Sequence, residues 1–402
     1  MLATCSGRKE DPMVWNVTRH INQECRRLGQ VRASEMKHPS SYLEWYVNVP
    51  KVNYDFRSSG TGYFRYNLNL GEVDMSANYA HGNPEATGQL TRMYDVKPEN
   101  VFISSEGASG QNARIMRVLA EKSGGKNEAI VEYPTYEPLL RQVQEYFPNV
   151  ERLERIEKDG YRLDAEALRK IVTPKTGLLV LTNPHAPSGS ISGRCEMHEI
   201  MATAREYGFY VVCDEIYAEF DRKTVPTLFS VDDELGIVTS SFTKAYGLGG
   251  LKLGVALASK RLVDEFYVDV LNTVGNSSNI TQVVAAEVLR KGEEELKEHR
   301  QKWMLLKRET EEWLNEKDIE YSPSKVGITY WMKLPMKDTY KWTNERAIPH
   351  YSLALVPGAF FLFNLDYKLA ETSMARLGLG NIDPRKPNLA KGLETLEEAM
   401  KA

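Results

Sequence analysis

Cysteine is scarce in this 402-residue chain: four residues, at positions 5, 25, 195 and 213, with no Cys-x-x-Cys pair among them. That spacing excludes a disulfide framework and a thiolate metal site, so no metal is expected. Cys213, inside an apolar run, reads as a small core residue. No apolar run approaches the roughly 18 residues that a membrane span requires. The opening Met-Leu-Ala-Thr-Cys-Ser-Gly-Arg lacks the apolar segment of a secretory leader, which predicts a cytoplasmic protein away from membranes. An excess of positive charge is missing too. Lys and Arg number 51 against 55 Asp and Glu, for a net charge of −4, and this argues against a sequence-independent nucleic-acid binder, which works by neutralising phosphates. There is no internal repeat and no low-complexity linker. With 42% hydrophobic residues the chain is long enough for more than one core, and small-molecule chemistry is the expectation.

What is present is alternation. Short β-branched apolar runs at 101–104, 129–131, 178–182, 209–213, 237–241 and 255–258 are separated by Gly/Pro/Asn turns and segments of helical period. This pattern predicts a mostly parallel α/β sheet, and runs that are apolar almost throughout suit strands covered on both faces. From about residue 281 the chain becomes charged and helical, as in 293–316 with its Glu and Lys/Arg three and four apart. This reads as a connecting helix into a second region, where 328–333 and 354–358 predict a small sheet. A helix is expected over 14–28, and the Tyr-, Asn-, Ser- and Gly-rich stretch 47–70 reads as loop or hairpin without a definite place.

Three segments carry chemistry. Residues 240–254, Ser-Ser-Phe-Thr-Lys-Ala-Tyr-Gly-Leu-Gly-Gly-Leu-Lys-Leu-Gly, place Lys244 among hydroxyls and glycines, an odd setting for a surface lysine and a fit one for a covalent anchor. Upstream stand Thr-Asn-Pro-His-Ala-Pro-Ser-Gly at 182–189 and Cys-Asp-Glu-Ile-Tyr at 213–217. Asp214 ends an apolar strand, where ligand groups gather in open parallel sheets. Gly107-Ala108-Ser109-Gly110 follows the 101–104 strand and opens a helical segment, a place where backbone N–H groups meet a phosphate.

Together and in this order, these segments resemble the pyridoxal-phosphate-dependent aminotransferases of fold type I, over roughly residues 66–380. The resemblance implies an α/β fold in which a large domain, 66–285, holds a mostly parallel mixed sheet sandwiched by helices. A smaller α+β domain, 286–402, follows, and the segment 1–65 belongs partly to it. It implies pyridoxal 5′-phosphate as cofactor and a homodimer acting on an amino acid and a 2-oxo acid, with aspartate and 2-oxoglutarate as the first substrates to consider.

Roles follow from the same likeness. Lys244 would form the Schiff base and carry the proton; Asp214 would keep the pyridine nitrogen protonated. Asn183 and Tyr217 would hydrogen-bond the phenolic oxygen, and Tyr136, in Pro-Thr-Tyr, would stack on the ring. Gly107, Ala108, Ser109 and Ser241 would hold the phosphate with Lys252, which stands where the family usually has arginine and lacks arginine's two-pronged fork. Arg376 in Ala-Arg-Leu-Gly would clamp the substrate carboxylate, with Gly71 letting backbone approach it. A tyrosine lent by a neighbouring subunit usually reaches the phosphate; Tyr79 is the candidate, although His81 directly precedes the Gly-Asn-Pro segment. Arg57 and Arg65 are candidates for the substrate's distal end.

Within the fold the same residues serve carbon–sulfur lyases, synthases and decarboxylases, which remain the alternative. Two other classes fit poorly. Ser241-Phe-Thr-Lys244 and Lys175-Thr-Gly177 match serine-hydrolase motifs but in reversed chain order. A cofactor-sensing regulator would need a second, recognition helix that 1–65 does not supply.

Overall fold

The computed structural model describes residues 41–62, 65–79, 81–363, 369–383 and 388–401. The helix expected over 14–28 lies outside them. The chain divides into two compact units, Met1–Val47 and Asn48–Ala402, and the candidate site lies within the second.

Strand β1 (Tyr54–Phe56) is followed by seven strands that build the larger sheet: β2 (Val101–Ser104), β3 (Glu128–Tyr133), β4 (Asn149–Glu154), β5 (Thr176–Thr182), β6 (Tyr210–Asp214), β7 (Gly236–Ser241) and β8 (Gly254–Leu257). Their spatial order is β2-β8-β7-β6-β5-β3-β4. The pairs from β4 through β7 are parallel, while β8 runs antiparallel to both β7 and β2. The sheet is therefore mixed and mostly parallel. Strands β2, β5, β7 and β8 are buried at every position, as their continuous apolar runs demand when helices cover both faces.

This topology explains why residues so distant in sequence converge. Ser104, Tyr133, Thr182, Asp214 and Ser241 are the last residues of β2, β3, β5, β6 and β7, and Gly254 opens the reversed β8. All six lie along one edge of the sheet, where the turns after parallel strands leave a crevice.

Strands β9 (Tyr321–Ser322), β10 (Thr329–Lys333), β11 (Leu353–Pro357) and β12 (Met374–Gly378) form the second sheet, in the order β1-β11-β12-β10-β9. The helix foreseen over 293–316 runs Asn279–Glu316 and leads into it. Strand β1, which falls in the stretch 47–70 that had no definite place, pairs in parallel with β11, Phe56 opposite Leu355. No local signal marks so short a strand; it is held by partners some 300 residues away in sequence, Tyr54 facing Leu353.

Candidate active site

Asp214 closes β6 and is buried. Its carboxylate accepts hydrogen bonds from the Ile216 N–H and from Asn112 Nδ2, each at 3.0 Å. Burial raises its pKa, against the pull of those two bonds and of the positive Lys244 nearby. Asn112 lies on the helix Gly107–Lys122, where it and Gln111 are buried polar residues. A polar pair turned inward was the one sequence signal that would have singled Asn112 out.

Lys244 is half-buried in the turn after β7. Its Nζ donates to Ser59 Oγ at 3.0 Å, and its carbonyl accepts from both the N–H and the hydroxyl of Thr61, each at 3.0 Å. Gly60 packs flat against it: a Cβ there would stand 2.9 Å from Lys244 Cδ and 3.1 Å from its Cα. Ser59, Gly60 and Thr61 were not foreseen, since nothing in local pattern ties them to a lysine more than 180 residues downstream.

The turn 107–109 meets Lys252 directly. Gly107, at φ +67°, donates its N–H to the Lys252 carbonyl at 2.6 Å, and no side chain caps the helix that begins there. Helix geometry then leaves the Ala108 and Ser109 N–H groups without an intrahelical acceptor, beside an exposed lysine. Gly254 keeps the turn close to the sheet, because a Cβ would stand 2.3 Å from Gln111 Oε1 and 2.8 Å from the Gly107 carbonyl. Ser241 Oγ is hydrogen-bonded to Thr243 Oγ1 at 2.6 Å.

Tyr136, half-buried, stands at the start of the helix Glu137–Tyr146. That helix reaches back to the 107–109 turn through Gln142 Nε2, which donates to the Ser109 carbonyl at 2.8 Å. Tyr217 is half-buried just past Asp214. Asn183 donates its backbone N–H to the Asp214 carbonyl at 3.0 Å. Its side chain serves its own loop: Oδ1 accepts from Ser192 N at 2.9 Å, and Nδ2 donates to the carbonyls of Ser192 and Pro226, both at 3.3 Å.

The unusual His185 of this loop is fully buried and stacks on Tyr161, with ring centroids 5.6 Å apart. Its Nε2 lies 3.0 Å from the Pro134 carbonyl and its Nδ1 2.7 Å from Ser188 Oγ. The carbonyl can only accept, so Nε2 carries the hydrogen and Nδ1 accepts from the serine. Burial, with the charge of Arg155, holds its pKa well below the usual histidine value. Arg155 itself pairs with the buried Glu132 at 2.8 Å and donates to Ser192 Oγ at 3.0 Å.

Arg376, on β12, is buried with its guanidinium 5.1 Å from the centre of the Phe361 ring. Its Nη2 donates to the Arg57 carbonyl at 2.9 Å. Phe361 also accepts, through its carbonyl, the Thr135 N–H at 3.0 Å, so one residue joins Arg376 to the Tyr136 turn. The Arg57 guanidinium is held by Asp55 through two bonds of 2.8 Å, and Arg65 is exposed.

Lys244, Asp214, Asn183, Ser241, Lys252 and Gly107 thus come together on one sheet edge. Gly71, at φ +56°, has nothing within 4 Å of where a side chain would start, and Tyr79 is 38% exposed. His81 sets its ring edge-on to Tyr267, 4.9 Å between centroids. Among the described residues no cluster of His, Cys, Asp and Glu suits a metal ion, and no helix is long and apolar enough to cross a membrane.

The donor set suits a phosphorylated pyridine aldehyde: an amine beside a buried carboxylate, with an uncapped helix start and a cation to one side. Comparisons with known proteins agree. A family model described as aminotransferase class I and II matches residues 73–382. Histidinol-phosphate aminotransferases from Methanococcus aeolicus and Thermoanaerobacter pseudethanolicus are similar at 24% identity over 209 residues and 28% over 207 residues. These matches take in 52% and 51% of this chain and 54% and 55% of the relatives, so the chain spans about half the length of the curated relatives it matches. In fold it is similar to an aspartate aminotransferase from Thermus thermophilus with maleate, TM-score 0.75 at 19% identity over 92% of this chain and 98% of that one. A PLP-dependent aminotransferase from Streptococcus suis gives TM-score 0.77 at 24% identity over 91% and 98%.

Proposed function

Because the chain belongs to the class I and II aminotransferase family, whose cofactor is pyridoxal 5′-phosphate, we propose that it is a transaminase moving an amino group between an amino acid and a 2-oxo acid. The observation that carries this reading is the meeting of Lys244 and the buried Asp214 on one sheet edge, with the Gly107 turn and Lys252 beside them. The bound cofactor supplies an aldehyde and an electron-accepting ring on which amino groups are exchanged. Lys244 anchors it and moves a proton to and from the substrate's alpha carbon. Asp214, already oriented by Asn112 and Ile216, holds the ring nitrogen. Tyr136 would lie against the ring face, and the N–H groups of Ala108 and Ser109 with Lys252 and Ser241 would take the phosphate. Tyr217 would hydrogen-bond the phenolic oxygen, while Asn183, committed to Ser192 and Pro226, contributes by fixing the loop. Arg376 receives the alpha-carboxylate.

Aspartate with 2-oxoglutarate is the first donor and acceptor pair to try. The relatives named histidinol-phosphate aminotransferase make a phosphate-bearing imidazole amine the second donor class. The working form is read as a homodimer, supported by the exposed Val268, Leu271 and Val274, which follow at helical spacing on and just beyond the helix Lys260–Thr273.

The test is an absorbance spectrum of the protein with pyridoxal phosphate, then borohydride and peptide mass spectrometry, then a screen of amino donors. Fixation of the cofactor on Lys244, and its conversion to the amine form by a donor, is the expected result. A protein that takes up no cofactor sinks the reading; uptake with no conversion by any donor shifts it to a lyase, synthase or decarboxylase.

A further inference from the structure

We propose that Ser59 is a catalytic residue whose hydroxyl receives the Lys244 amine whenever that amine is not joined to the cofactor; this rests on the transaminase reading above. Lys244 has to leave and return in each cycle of amino transfer, and an amine released into a crevice needs a fixed resting place within reach. The structure holds one: Lys244 Nζ donates to Ser59 Oγ at 3.0 Å, and Ser59 is only 4% exposed. The serine end of this bond is shielded, while the half-buried lysine stays open to the crevice. A neutral hydroxyl holds the amine without favouring its protonated form as strongly as a carboxylate partner would.

The position of Ser59 is fixed from both sides. Thr61 binds the Lys244 carbonyl with its N–H and its hydroxyl, and Gly60 leaves no room for a side chain against the Lys244 stem. On the other side, Ser58 accepts the Gly380 N–H at 2.9 Å, and Gly62 donates to the Gly380 carbonyl at 3.1 Å. Two residues before Ser59, the Arg57 carbonyl accepts from Arg376. The segment 57–61 therefore touches both the amine and the arginine assigned to the substrate carboxylate. Asp214, oriented by Ile216 and Asn112, is assigned to the ring nitrogen and leaves the resting place of the amine to Ser59.

The experiment compares wild type with Ser59→Ala, Ser59→Cys and Ser59→Thr. In the single-turnover reaction with an amino donor, Ser59→Ala lowers the rate constant about tenfold and changes the half-saturating donor concentration less than twofold. Ser59→Thr, which keeps the hydroxyl, stays within about twofold of wild type. Ser59→Cys, with a weak sulfur acceptor, follows alanine and carries the test if Ser59→Ala does not fold. A second readout uses cofactor-free protein: competitive acetylation with acetic anhydride, read by mass spectrometry against surface lysines, labels Lys244 about fivefold faster in Ser59→Ala, as loss of one hydrogen bond to an amine should. Wild-type turnover rates or unchanged Lys244 labelling in both the alanine and cysteine variants overturn the role of Ser59 alone. A wild-type protein with no borohydride-fixed cofactor on Lys244 overturns that role together with the transaminase reading.

Discussion

Asn112 Nδ2 donates to Asp214 Oδ2 at 3.0 Å, joining the helix that starts at Gly107 to the end of β6. One helix therefore presents uncapped N–H groups at its first turn and, on its inner face, orients the carboxylate assigned to the ring nitrogen. Phosphate and ring ends of a bound cofactor would be referenced to the same rigid element.

Asn112→Leu removes a bond that favours the charged form of Asp214, while burial still pushes the other way. The acid limb of the pH profile for kcat/KM should move up by as much as about one unit. Asn112→Asp, which sets two carboxylates side by side, should move it further. An acid limb unmoved in both variants would show that Asn112 does not set Asp214.

Lys252→Arg should tighten cofactor binding. The lysine offers one charged point beside the Gly107 turn, whereas guanidinium offers a fork matched to two phosphate oxygens. The dissociation constant for pyridoxal phosphate, from equilibrium titration, should fall about fivefold, and Lys252→Ala should raise it about tenfold or more, as expected for one charge-assisted contact. Equal affinities across the three proteins would remove Lys252 from the phosphate site.

Behind Asp214 lies a buried cluster with a stability consequence. Glu215 pairs with Arg222 and accepts the Leu228 N–H at 2.8 Å; Glu219 accepts from Tyr94 OH at 2.6 Å and Ser240 Oγ at 2.7 Å. Burial pushes Glu215 from the ordinary 4.5 up to about 7, although Arg222 opposes it. A carboxyl raised on folding binds more protons folded than unfolded, so its contribution is most favourable below the unfolded value and is lost as pH rises through about 7. Chemical unfolding between pH 5 and 7.5 should therefore show a falling component, at most about 3 kcal/mol. Glu215→Gln should flatten it, and an unchanged slope would place the proton elsewhere.

His185→Phe keeps a ring on Tyr161 but abandons the Pro134 carbonyl and the Ser188 hydroxyl inside the core. Two buried polar groups left without this partner cost about 3 kcal/mol together, measurable by denaturant unfolding. Because Pro134 lies two residues before Tyr136, the circular dichroism of bound cofactor should weaken as well. A loss of stability with unaltered dichroism would make His185 a core residue without influence on the ring.

Much of the larger sheet was legible because its strands are continuous apolar runs bounded by turns, and five of the six expected runs end at the edge that gathers the site. Strand β4 was not seen: its sequence Asn-Val-Glu-Arg-Leu-Glu is mostly polar because it sits at the sheet edge, where one side lacks a neighbour. Asp214, Lys244 and Asn183 were legible for a related reason, since each lies within a turn or strand end whose local sequence is distinctive. Asn183 nevertheless turns its carboxamide into its own loop, a choice among nearby carbonyls that no motif encodes.

The sequence by itself determined the apolar strands of the larger sheet, the turns that follow them and the chemical type of each side chain at those turns, because these depend on burial and backbone preference over a few residues. Only the tertiary structure decided that Ser59 meets Lys244, that Asn112 meets Asp214 and that Phe361 joins Arg376 to the Tyr136 turn. Such contacts arise where separate elements pack, and their partners are selected by the relative placement of whole strands and helices, a sum over many weak interactions that no short stretch of chain contains.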